Sequence, residues 1–106
     1  MSDASNHIAT LRIASDHPAL PGHFPGRPIV PGVVVLDSVL QAARAWLGPQ
    51  LRLQVLAQVK FIAPLLPEQV ARIELKLQGD DLRFVVTRED QIVAQGVMRV
   101  SVGAGR

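Results

Sequence analysis

The sequence predicts an α+β domain in which one long helix packs on a curled antiparallel sheet. Three observations carry that expectation. The chain has 106 residues, which is one small domain. The stretch from Val33 to Leu47 has helical periodicity and is apolar around most of its girth. After it come four apolar/polar alternating segments separated by short turns, the signature of antiparallel strands.

The elements come in chain order. From His7 to Ser15 the chain alternates loosely, with Ala9, Leu11 and Ile13 on one face, which predicts a first strand. The fifteen positions from Pro18 to Gly32 hold five Pro and three Gly. Pro presets φ and Gly supplies conformations other residues avoid, so this reads as a rigid ordered loop of the kind that holds functional groups in place. Pro31 and Gly32 suit a helix start, and Gly48-Pro49 a stop. The valines at positions 33–35 are poor helix formers, but Leu40 to Leu47 favours a helix and decides for it. At 100° per residue, Leu36, Leu40, Ala43 and Leu47 share one face, and Val35, Val39, Ala42 and Trp46 the opposite one. Only Asp37, Gln41 and Arg44 form a polar stripe. A helix this apolar is expected to be buried and wrapped.

The C-terminal half supplies the wrapping. Leu51 to Ile62 alternates, with Leu53, Val55, Ala57, Val59 and Phe61 expected to face inward. Ala71 to Gln78 sets Ile73, Leu75 and Leu77 against Arg72, Glu74 and Lys76. Gly79-Asp80-Asp81 is a turn, Leu82, Phe84 and Val86 lie on the next strand, and Glu89-Asp90 turns into a last strand over Gln91 to Val102. The whole chain, 1–106, reads as one domain, with residues 1–6 and 103–106 expected to fray.

Composition narrows the chemistry. Hydrophobic residues make up 48% and charged residues 19%, a globular balance. No cysteine is present, so disulfides, zinc–thiolate sites, iron–sulfur clusters and a cysteine nucleophile are excluded. The net charge is +2, with cations scattered and little aromatic interleaving, so nucleic-acid binding is not expected. The uncharged stretch Pro28 to Leu36 is too short to cross a bilayer, and the polar start MSDASN does not resemble a signal peptide. The expected location is the cytoplasm, without membrane attachment.

Two groups in the loop and helix could carry proton transfer. His23 sits in Gly22-His23-Phe24-Pro25-Gly26. A loop histidine is most often a half-buried hydrogen-bonding group, but its ordinary pKa near neutrality also suits a general base. Asp37 lies among Val33, Leu36 and Leu40; in apolar surroundings its pKa is expected to rise, as a general acid requires. The free amides near Gly32 and Val33 at the helix start offer a small anion site. Base, acid and donor come together only if the loop folds back on the helix or if two subunits share the site.

The run His17-Pro18-Ala19-Leu20-Pro21-Gly22-His23-Phe24-Pro25-Gly26-Arg27-Pro28-Ile29-Val30-Pro31-Gly32-Val33, continued by Leu36-Asp37-Ser38-Val39-Leu40-Gln41-Ala42-Ala43, resembles the 3-hydroxyacyl-acyl-carrier-protein dehydratases of the FabZ/FabA type. Val59 to Pro67 is similar to that family's strand and loop after the helix. One position departs: Pro67-Glu68 stands where the family has Pro-Gly.

The resemblance implies a hotdog fold, a long helix wrapped by an antiparallel sheet, active as a homodimer, with assembly of dimers into larger oligomers left open. It implies two interface sites, each taking His23 from one subunit and Asp37 from the other. It assigns Gln41 to holding the carboxylate, the Gly32 amide, beside Val33, to the thioester oxygen, and the Ile29 carbonyl to fixing the histidine tautomer. Leu36, Leu40 and Phe61 are expected to line an acyl tunnel between helix and sheet. The implied reaction removes water from a (3R)-3-hydroxyacyl thioester to give a trans-2-enoyl thioester. No metal or cofactor is implied, since the substrate arrives on the phosphopantetheine of acyl carrier protein or coenzyme A. Arg27, Arg44 or Lys60 could help dock an acidic carrier, although each alone reads as an ordinary solvated charge. Two other readings stay open: a hotdog thioesterase and a non-catalytic acyl-binding partner subunit. His7 reads as surface, His17 as a structural brace of the loop, and Trp46 as core or dimer contact.

Overall fold

The computed structural model describes residues 5–18 and 29–101. Five strands and one helix run along the chain as β1 (Ser5–Leu11), α1 (Gly32–Leu47), β2 (Arg52–Phe61), β3 (Ala71–Gln78), β4 (Asp81–Arg88) and β5 (Gln91–Ser101). The strands form one antiparallel sheet in the order β1-β3-β4-β5-β2. This is the helix-on-sheet arrangement expected of a hotdog fold. Ser5 and Asn6, read as part of a fraying end, instead pair with Leu77 and Lys76. Positions 103–106 lie outside the described residues, as do residues 19–28, which hold most of the Pro/Gly-rich loop with His23 and Arg27.

The alternation seen in the sequence fixes the inner face of the central strands. Ile73 and Leu75 of β3, Leu82, Phe84 and Val86 of β4, and Ala94, Met98 and Val100 of β5 are buried. Against them the helix places Val34, Val35, Val39 and Ala43. Positions 35, 39 and 43 are one turn apart, so they form a single ridge. Burying each of these valines stabilises by about 1.5–3 kcal/mol, and the Ala43 methyl contributes less. Trp46 packs partly against the same core and stacks on His7, with ring centroids 5.1 Å apart and planes 9° apart. His7 is therefore half-buried rather than a surface group, because its place in β1 points it at the end of the helix. Gly48 stops α1 with φ of 119°, a conformation open to glycine. Its N–H donates to the Arg44 carbonyl at 2.8 Å.

Two expectations are corrected. Among the described residues the helix is covered on the Val35/Val39/Ala43 side only, while Leu36, Leu40 and Leu47 are partly buried and Val33 is 73% exposed. Leu53, Val55, Ala57 and Phe61 of β2 do not face inward to a core, because the strand is exposed along nearly its whole length. β2 is the sheet edge, and two register shifts against β5, at Leu53/Val55 and Leu56/Gln58, break its alternation. Among the described residues nothing lies over it.

Candidate functional site

The helix start is built by the proline before it. Pro31 caps α1 in an extended conformation with no side-chain cap bond. Its carbonyl accepts the amides of Val34 at 3.0 Å and Val35 at 3.2 Å. The amides of Gly32 and Val33 come first in the helix and have no intrahelical acceptor, so they project the positive end of the helix dipole. An ideal Cβ at Gly32 would stand 2.7 Å from Phe61 Cζ. The ring thus occupies the space a side chain would need, and two expected substrate-binding residues, 29 positions apart, meet at the amide donor. Phe61 remains 52% exposed, so this ring is an open wall of the site.

Asp37 lies on the outward stripe of α1 with Gln41 one turn on, and both are exposed. Among the described residues neither side chain has a hydrogen-bond or ion-pair partner. Among the described residues the apolar surroundings expected for Asp37 are not met, because the apolar ridge faces the sheet while position 37 points away from it. Leu36 and Leu40 are partly buried. A concavity of about 420 Å³ opens instead between β2, β4 and β5, bordered by Gln58, Lys60, Arg83 and Gln95. None of Leu36, Leu40 and Phe61 borders it. Arg44 is structural here: its Nε donates to the Leu51 carbonyl at 3.1 Å.

His23 lies outside the described residues, but the chain on either side of its loop is held by one turn. On the near side, the Glu68 N–H donates to the Ile13 carbonyl at 2.8 Å, and the Ser15 N–H donates to Glu68 Oε2 at 2.7 Å. Arg12 Nη1 donates to Glu68 Oε1. On the far side, the Val30 N–H donates to the Leu65 carbonyl at 2.8 Å. The turn closes on itself through Leu66 N–H to Gln69 Oε1 at 2.9 Å, and it is tied to β5 where the Ile62 N–H donates to the Val93 carbonyl at 2.8 Å. The Ser15 amide holds the Glu68 carboxyl below its ordinary range against an opposing effect of desolvation, and the Arg12 guanidinium adds to the lowering. Sequence reasoning did not assign Glu68 a role. The signal that could have found it was the Pro67-Glu68 departure.

Comparison with known proteins bears on the family and the fold. The ApeI-like family, described as ApeI dehydratase, matches residues 1–97. A 3-hydroxyacyl-[acyl-carrier-protein] dehydratase FabZ from Symbiobacterium thermophilum is 32% identical over 104 residues, covering 93% of this chain and 62% of its own length. The FabZ of Desulforamulus reducens is 28% identical over 89 residues, 74% of this chain and 63% of its own length. The chain thus spans less than two thirds of either relative. Among solved structures, the dehydratase heterocomplex ApeI:P from Xenorhabdus doucetiae superposes with a TM-score of 0.80 at 27% identity, covering 90% of this chain and 86% of that one. Fold, helix start and a match running from before β1 into β5 make this chain a member of the ApeI-like dehydratase family.

Proposed function

We propose that this chain dehydrates (3R)-3-hydroxyacyl thioesters to trans-2-enoyl thioesters, on acyl carrier protein or coenzyme A, in fatty acid or specialised acyl synthesis. The supporting observation is the helix start, where free amides at Gly32 stand against Phe61 with Asp37 further along the same helix. His23 takes the proton from C2, and the Gly32 amide steadies the enolate-like oxygen as charge develops. Asp37 gives its proton to the C3 hydroxyl, the C–O bond breaks and water leaves. Return of the proton from His23 to Asp37 through solvent resets the pair. Proton transfer alone balances the reaction, so no cofactor enters it. Gln41 orients the carboxylate, and Leu36, Leu40 and Phe61 take the acyl chain.

A second copy of the chain completes the site by covering the outward stripe that carries Asp37. The working unit is then a homodimer in the cytoplasm. The test is to supply a 3-hydroxyacyl thioester and monitor enoyl absorbance and free thiol together. Enoyl product is expected, and His23→Ala should slow it by about 10²–10⁴-fold, the usual worth of a general base. Free thiol without enoyl product would point to a thioesterase and end this reading.

A further inference from the structure

Resting on the dehydratase reading, we propose that Glu68 is a positioning residue that clasps the chain segment leading to His23. Glu68 adopts φ of 71°, a region most non-glycine residues avoid. A backbone like this favours glycine, and at Glu68 it comes with bonds that hold the residue in place. What holds it is on both sides of the residue. Its N–H donates to the Ile13 carbonyl at 2.8 Å, and its carboxylate receives the Ser15 N–H at 2.7 Å and the Arg12 guanidinium. Glu68 therefore fixes the segment 12–15 just before the loop begins.

The far side of the loop is fixed on the same turn, where the Val30 N–H meets the Leu65 carbonyl. Glu68 lies only three positions after Leu65, so both ends of the loop are referred to one short, self-closed piece of backbone. That turn is bonded to β5 through Ile62 and Ala63, at 2.8 Å and 3.3 Å to the Val93 carbonyl. The described backbone on either side of the loop is thereby referred to the sheet. A catalytic base gains from that, because misplacement by an ångström costs rate steeply. A glycine would give the turn its backbone shape but leave the Ser15 amide and Arg12 without their shared acceptor.

The experiment compares Glu68→Gly with Glu68→Gln in the full chain. Glycine fits φ of 71° without strain, so folding is preserved and Tm should move by less than about 4 °C. Amide exchange at Ser15 should rise at least roughly tenfold in Glu68→Gly, while Val30, bonded to Leu65, stays within about threefold of wild type. In enoyl formation kcat should fall at least about tenfold with KM within about twofold, the pattern of a misplaced base rather than lost binding. Glu68→Gln keeps an acceptor for Ser15 and should stay within about threefold in kcat. Unchanged exchange at Ser15 in Glu68→Gly overturns the proposal, as does equal impairment of the two variants. If the wild type forms no enoyl product, the dehydratase reading fails on its own. The exchange comparison then still decides whether Glu68 holds the segment.

Discussion

Glu68 also makes the clasp sensitive to acid, and its surroundings set the direction. The Ser15 amide and the Arg12 guanidinium favour the ionised carboxylate, so its pKa in the folded chain lies below the ordinary value of 4.5. A depressed folded pKa adds stability that is fully present above the unfolded value and is lost as pH falls through the folded one. Wild type should therefore hold a Tm advantage over Glu68→Gln at neutral pH that shrinks below pH 4.5. Melting curves from about pH 7 to about pH 3 check this, and a constant gap would show that the carboxylate charge is not what bonds the segment. The departure from glycine at position 68 was legible in the sequence. Its partners were not, because Arg12 and Ser15 lie 56 and 53 positions away and no local pattern links them. The meeting of Gly32 with Phe61 was hidden for the same reason, although each residue on its own drew notice.

At the scale of elements, close approach rather than conformation governs Gly96. It pairs with Phe84 of β4 on one side and Val59 of β2 on the other. A Cβ at this position would lie 2.1 Å from the Gln58 carbonyl oxygen and 2.9 Å from Phe84 Cζ. Backbone cannot yield as a flexible side chain can, so β2 would have to move off β5 or Phe84 leave its buried place. Overpacking of this kind costs about 1–3 kcal/mol. Gly96→Ala should accordingly lower Tm by at least about 4 °C, measured by circular dichroism, and an unchanged Tm would mean that the two strands are not held this closely. The strands β3, β4 and β5 were readable because their alternation has a buried side to enforce it. In β2 the same alternation was present, yet it did not reveal a buried face. Two bulges and an edge position remove the link between pattern and burial. Alternation tells which residues share a side of a strand, and only the neighbours decide whether that side is dry.

Taken as a whole, the described residues leave the β2 edge of the sheet open. β2 presents ten residues at the sheet edge, nearly all exposed, with Leu53, Val55, Leu56 and Phe61 among them. Val33 at the helix start and Ile62 after β2 add to this apolar surface. An uncovered apolar edge strand invites association, and a surface of this kind marks a partner. A two-fold dimer uses the same patch on both copies, which would cover β2 and the helix start together. Sedimentation should give twice the 11.5 kDa of one chain. The proposed sharing of the site between two copies makes a sharper demand. Mix His23→Ala with Asp37→Asn protein, each inactive alone, under conditions that exchange subunits. Random pairing gives roughly half mixed dimers, each with one site ruined twice and the other intact, so activity should recover to roughly a quarter of wild type. If each site were built within one chain, every site in the mixture would carry one lesion and nothing would recover. Recovery that needs a different chain, in place of a second copy of this one, would instead make the working unit a heterocomplex like that of the Xenorhabdus relative.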